Sequence, residues 1–193
     1  MTVVTSETEL CNIALTRLGH QQISSLDEAS KAGRLCNLHY GPTRDSVLRA
    51  HPWNFAVKRV TLSLDVPTPN HEYTYQHSLP SDFLRIVRTH YEAEGYASAD
   101  YRIEGLKLVS DDSTVKIEYI AKITDVSQFD SLFVDVLAQR LAAEMAVALT
   151  DNQAATKTLW EIYDVKLREA RTIDAQEGRP RDFEAYDWLD SRY

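Results

Sequence analysis

Glycine is scarce in this chain. Six glycines stand singly among 193 residues, so there is no Gly-x-x-x-x-Gly-Lys-Ser/Thr loop and no Gly-x-Gly-x-x-Gly turn to cradle a phosphate. A Gly-x-Ser-x-Gly nucleophile elbow is missing as well. Cysteine is limited to Cys11 and Cys36. Two thiols make no disulfide framework, and these are too far apart for a Cys-x-x-Cys zinc site. Both fall in expected helices and read as small buried hydrophobes of a reducing cytoplasm. The six histidines are scattered, and none forms the His-Glu-x-x-His pair of a metalloprotease helix. His71 and His77 lie close enough in sequence to face a common site, but a lone strand histidine is more often a surface residue, and each reads as one. Asp111 and Asp112 read as a turn, and Asp100, Asp111 and Asp125 build no EF-hand loop. No carboxylate cluster suited to two metals is apparent. No catalytic, cofactor-binding or metal-binding residue is therefore assigned, and no cofactor is expected. Long apolar runs are absent, so no transmembrane helix or membrane partner is expected. Met1 to Ser6 has neither the basic start nor the apolar stretch of a secretion signal. Basic charge is in deficit, with a net charge of −8. A protein whose main task is to hold phosphates needs clustered Lys and Arg instead. An acidic wall that keeps DNA from sticking is compatible with that balance.

What is present is ordinary for a globular protein, with 44% hydrophobic and 26% charged residues. The spacing predicts helices at both ends and strands between them. Ser6 and Glu9 form a capping box, Leu10, Ile13, Ala14 and Leu18 follow at helical spacing, and Gly19 is a natural stop. A second helix is expected from about Asp27, with Ala29, Ala32, Leu35, Cys36 and Tyr40 on its apolar face. Gly41-Pro42 should kink or interrupt it, and Pro52 should end it. Strands are expected at Lys58–Leu64, Glu72–His77 and Phe83–Tyr91, with a hairpin over Tyr101–Val109 turning at Gly105. A last strand holds Val115, Ile117, Tyr119 and Ala121. Six tyrosines in this region (Tyr73, Tyr75, Tyr91, Tyr96, Tyr101 and Tyr119) offer amphipathic contact area, and Glu92 to Ala99 is a candidate exposed loop. Helix returns at Phe133, capped by Ser127 or Asp130. Its alanines lie on several faces, and an all-round apolar helix is a buried one. Ala138, Ala142, Met145 and Leu149 are therefore the candidate subunit interface, with a central helix inside one subunit as the other reading. A final amphipathic helix runs from Asn152 to about Gln176, with Lys157/Glu161 and Asp164/Arg168 as solvated pairs. The fold class is α+β: a helical bundle from residues 1–54 and 124–178, with a small antiparallel sheet or sandwich inserted at 55–123. Residues 179–193 form an extended C-terminal tail. Its Phe183, Tyr186, Trp188, Leu189 and Tyr193 are candidate docking anchors for a partner or a neighbouring subunit.

One run stands out. In His51-Pro52-Trp53-Asn54-Phe55-Ala56-Val57-Lys58-Arg59, a helix stop is followed by two large rings and then a strand. Trp53 and Phe55 are the structural joint between the helical and β-rich parts, and no catalytic group is needed to explain them. The run resembles the head-to-tail adaptors of tailed bacteriophages, the family that includes the tail tubular protein A of short-tailed phages and the connectors of gene-transfer-agent particles. Further segments match in order along nearly the whole chain. They are Ala14-Leu15-Thr16-Arg17-Leu18-Gly19 with Ile23-Ser24-Ser25-Leu26, then Leu79-Pro80-Ser81-Asp82-Phe83-Leu84-Arg85 and the helix Phe133 to Thr150. Tyr163 to Gly178 and Asp187-Trp188-Leu189-Asp190 follow.

The resemblance implies a structural virion protein of the neck, made in the bacterial host cytoplasm. It implies a homo-oligomeric ring, usually twelve-fold, whose interfaces are heterologous and close by rotation. Such a ring docks under the portal protein, extends the DNA channel without sequence-specific binding, and receives a downstream tail or nozzle protein. It implies that the C-terminal segment reaches the portal or a neighbour. The alternatives are a small metal-dependent hydrolase or nuclease assembled from distant carboxylates and histidines, and a non-viral monomeric or dimeric interaction module.

Overall fold

Ser6 opens α1 (Glu7–Arg17) by accepting the Glu9 amide at 3.1 Å. The expected return bond shifts by one residue, because Glu9 Oε2 accepts from the Thr5 amide at 2.8 Å rather than from Ser6. At the other end the Gly19 amide donates to Thr16 and the His20 amide to Leu15, both at 3.0 Å. This double closure needs a left-handed residue, and Gly19 supplies it with φ +67°. The computed structural model describes residues 4–90 and 100–177. The loop 92–99 and the tail residues Phe183, Tyr186, Trp188, Leu189 and Tyr193 lie outside the described residues.

Helix α2 spans Lys31–Ala50. It starts later than expected, because Ser30 caps it by accepting the Gly33 amide at 3.0 Å. Pro42 does not interrupt it: one helix continues through the proline. Proline at 42 deprives the Leu38 carbonyl of its helical donor. Leu38 is exposed, so water can satisfy that carbonyl. Meanwhile Cys36 and Tyr40 before the proline, and Val47 and Leu48 after it, are all buried in one core. Packing on both sides outweighs one lost hydrogen bond.

All strands among the described residues fall between α2 and α3. They are β1 (Val57–Thr61), β2 (Ser63–Leu64), β3 (Tyr75–Ser78), β4 (Phe83–His90), β5 (Tyr101–Glu104), β6 (Lys107–Ser110) and β7 (Lys116–Ala121). They form two antiparallel sheets, ordered β1-β7-β4 and β2-β3-β6-β5. The expected single strand Lys58–Leu64 is broken at Leu62, where the chain passes from the first sheet to the second. Leu62 is buried and its amide donates to the Val115 carbonyl at 2.8 Å. A strand that changes sheets makes a corner of this kind. The β5–β6 hairpin turns at Gly105 with φ +61°, a position that favours glycine.

Helix α3 (Ser131–Thr150) is capped by Asp130, which accepts the Leu132 amide at 2.8 Å. Asp151 ends it in the left-handed region, and Asn152 caps α4 (Gln153–Gln176) through the Ala155 amide at 3.0 Å. Helices α1, α2 and α4 all pack around α3. Met145 Sδ lies 3.8 Å from the Cys36 sulfur of α2. The Gln139 side chain donates to Leu159 of α4 at 3.0 Å and accepts from Arg17 of α1 at 3.2 Å. Arg17 and Lys166 both pair with Asp135, joining three helices through one carboxylate. Arg140 of α3 lies 4.2 Å from the Trp160 ring centre of α4, a cation–π contact.

This arrangement corrects the expected subunit interface. Ala138, Ala142 and Met145 are fully buried within one chain and offer no surface to a neighbour. Leu149 is partly buried against the same core. The small residues on α3 serve close approach by three helices of its own subunit. No helix among the described residues is long and apolar enough to cross a membrane. Ala142→Leu should therefore destabilise the isolated monomer by about 1–3 kcal/mol through overpacking. Denaturant unfolding under monomeric conditions checks this, and an unchanged monomer would return Ala142 to an intersubunit role.

Candidate functional site

The chain leaves the helical part at His51, whose extended backbone ends α2. Trp53 then turns inward and is buried. Its indole N–H donates to the Val47 carbonyl at 2.9 Å, closing the end of the helix it has just left. The ring stands edge-on to Phe133 of α3 at 5.2 Å and to His51 at 5.0 Å. Phe55 meets Phe133 at 5.0 Å and Phe129 at 6.0 Å, and Phe129 meets Phe133 at 4.9 Å. These separations and tilts are those of attractive aromatic pairs. Both joint residues thus close on the start of α3, which lies about 80 positions further along the chain.

A polar clasp covers the aromatic cluster. Asp174, near the end of α4, accepts from His51 Nε2 at 3.0 Å and from the Asn54 amide at 3.1 Å. The Asn54 side chain donates to the Asp174 carbonyl at 2.6 Å, and Arg171 donates to the Ala50 carbonyl at 2.8 Å. Burial pushes the His51 pKa below its usual value, and the hydrogen bond to Asp174 opposes this only in part. Sequence reasoning placed Asp174 in a matching segment but did not pair it with His51. The only signal was a lone carboxylate near the end of a helix.

The segment Leu79 to Arg85 forms a second tie. Asp82 accepts from Lys58 at 2.7 Å and from the Tyr119 hydroxyl at 2.9 Å, while its carbonyl accepts the Lys122 amide at 2.6 Å. Burial would raise the Asp82 pKa, but these donors outweigh it and hold the carboxyl below its ordinary value. Burial, then Asp82, pushes Tyr119 up to about 12. Arg49 of α2 donates to the Leu84 carbonyl, anchoring β4 to the helix. Ile23 completes the pattern near α1, where its amide and carbonyl both bond the Asn12 side chain, at 2.8 and 3.0 Å.

His71 and His77 do not share a site. His77 is fully buried, contrary to the surface position expected for it, and its Nε2 lies 3.0 Å from the Asp112 carbonyl. His71 is exposed on a loop beside a hollow of about 340 Å³ that also touches Glu72, Tyr73 and Glu104. A second, open hollow lies along α1 beside Glu9, Asn12 and Gln22. Among the described residues no group of three or more His, Cys, Asp and Glu side chains could hold a metal ion. Cys11 and Cys36 are both buried free thiols. Their mutual hydrogen bond and their burial push the Cys11 thiol up. The Asp174 and Asp82 carboxylates are used up in hydrogen bonds between elements.

No protein-family model matches the chain, and no curated protein matches it.

Two predictions follow from the joint. Trp53→Ala should cost about 3–5 kcal/mol, the range for removing a large ring from a filled site, as read from chemical denaturation. A cost near zero would mean that the ring fills no core space. Because the folded protein disfavours protonated His51, its contribution is present above the unfolded histidine pKa of about 6.5 and is lost as pH falls below it. The wild type should therefore lose stability relative to His51→Gln as pH falls below about 6.5. Parallel pH–stability curves for the two proteins would contradict this.

Proposed function

We propose that this chain is a head-to-tail adaptor of a tailed-bacteriophage particle. It is a structural virion protein that forms a ring under the portal, extends the DNA channel and presents an attachment surface to the tail. The observation that carries the reading is the ordered series of adaptor-like segments along nearly the whole chain. What supports it further is the use each described segment finds. Gly19 closes α1, Ile23 is pinned to Asn12, Asp82 joins β1 to β7, and Trp53 joins α2 to α3. Apart from the Gly19 closure, each of these joins separate stretches of the chain, which suits a part that must hold its shape under load.

In this reading the tail aromatics Phe183, Tyr186, Trp188, Leu189 and Tyr193 contact the portal or a neighbouring subunit. DNA passes the acidic chain without being held. The ring meets the portal on one side and a tail or nozzle protein on the other. Mass photometry of the purified protein, alone and mixed with the portal protein of the same genome, tests the proposal. Rings, or portal complexes that gain about a dozen subunits, are the expected result. A monomer that leaves the portal's mass unchanged would overturn it.

A further inference from the structure

We infer that Cys11, Cys36 and Met145 together form a binding site for a soft monovalent metal ion of the copper(I) type, buried where α1, α2 and α3 meet. The inference stands apart from the ring reading.

The chain has two cysteines and two methionines. Apart from Met1, every sulfur atom in it is gathered at this one corner. Cys11 comes from α1, Cys36 from α2 and Met145 from α3, and all three side chains are fully buried. Cys36 is the middle member. Its thiol donates to Met145 Sδ at 3.8 Å and accepts from the Cys11 thiol.

The donor set decides the ion. No His, Asp or Glu joins the two cysteines as a third ligand among the described residues. Two thiols and a thioether are soft donors, which select copper(I) over cations that prefer oxygen. Three sulfurs also fall short of the four ligands of structural zinc. At a metal–sulfur bond of roughly 2.3 Å, two sulfurs on one three-coordinate ion stand about 4 Å apart. The separation of 3.8 Å between Cys36 and Met145 is close to that.

A second observation points to the same ligand. Tyr40 lies one turn after Cys36 on the same face of α2 and is 3% exposed. No acceptor takes its buried hydroxyl proton. A buried donor left unpaired is costly. Cys11 is near enough for its thiolate to influence the ionisation of Tyr40. When a metal binds, thiol ligands lose their protons to solvent, and two thiolates around a monovalent ion leave one negative charge. The Tyr40 hydroxyl can donate to that charge. Arg44, a further turn along α2, stands 5.7 Å from the Tyr40 ring centre with its side chain 7% exposed, and brings positive charge to the same corner. Glu7 opposes ionisation of Cys11, and Arg44 offsets it from 3.8 Å.

Copper(I) itself is the probe. The reduced protein is titrated without oxygen against a competing copper(I) chelator, and native mass spectrometry counts the ions retained. One ion per chain is expected, with a thiolate-to-copper absorption band. The melting temperature should rise, since an ion bound only by the folded state stabilises it. Cys36→Ser and Met145→Leu should each bind at least about tenfold more weakly. Met145→Leu conserves volume, so it carries the test if the cysteine variant fails to fold. Tyr40→Phe separates a ligand role from a packing role. Removing an unpaired hydroxyl should leave the melting temperature of the metal-free protein no lower, while copper affinity falls about tenfold. A chain that retains no copper, or variants that all bind it as tightly as the wild type, would overturn the site. A wild type recovered copper-free and lighter by two hydrogens would also overturn it, and would give the cysteine pair to a disulfide.

Discussion

Trp53 is 1% exposed at the point where α2 ends and the strands begin, and the ring it meets belongs to α3. That single insertion ties three stretches of chain that the sequence order keeps far apart. Pro52 stops the helix before it, so the chain must turn there. The indole N–H returns to Val47 and satisfies a carbonyl that the helix end would otherwise leave open. Phe55 and Phe129 extend the same cluster, and the His51–Asp174 clasp fastens the end of α4 over it. Core residues of both parts, among them Leu48, Trp53, Ile117, Ile120 and Leu137, belong to one continuous cluster. The helical part and the β-rich part are therefore packed as one body through a small number of large contacts.

Much of this architecture was legible in the residues. The caps at Ser6, Asp130 and Asn152, the stop at Gly19 and the turn at Gly105 are local signals, and local physics decides them. The apolar character of α3 was equally plain, but what covers it was not. Burial by a neighbour and burial by α1, α2 and α4 leave the same pattern in sequence, and Ala138, Ala142 and Met145 proved to be covered from within. Pro42 did not interrupt α2, for a related reason. A proline on the solvent side of a well-packed helix loses one hydrogen bond, while Cys36, Tyr40, Val47 and Leu48 on both sides of it are buried in one core. The pairings of Asp174 with His51, and of Asp82 with Lys58 and Tyr119, are long-range events. No spacing rule within a helix or strand could have found them.

The polar side chains tell a consistent story about function. Asp135, Asp174 and Asp82 each serve two or more partners on different elements. Carboxylates used in this way fix the relative placement of helices and strands. The interior is thereby held by ties between elements rather than by apolar packing alone.

The central claim is that the aromatic joint makes the two parts one cooperative unit. Differential scanning calorimetry of the monomer tests it most directly. The account predicts a single transition whose calorimetric and van't Hoff enthalpies agree. Two separate transitions, with the β-rich part melting apart from the helices, would contradict it.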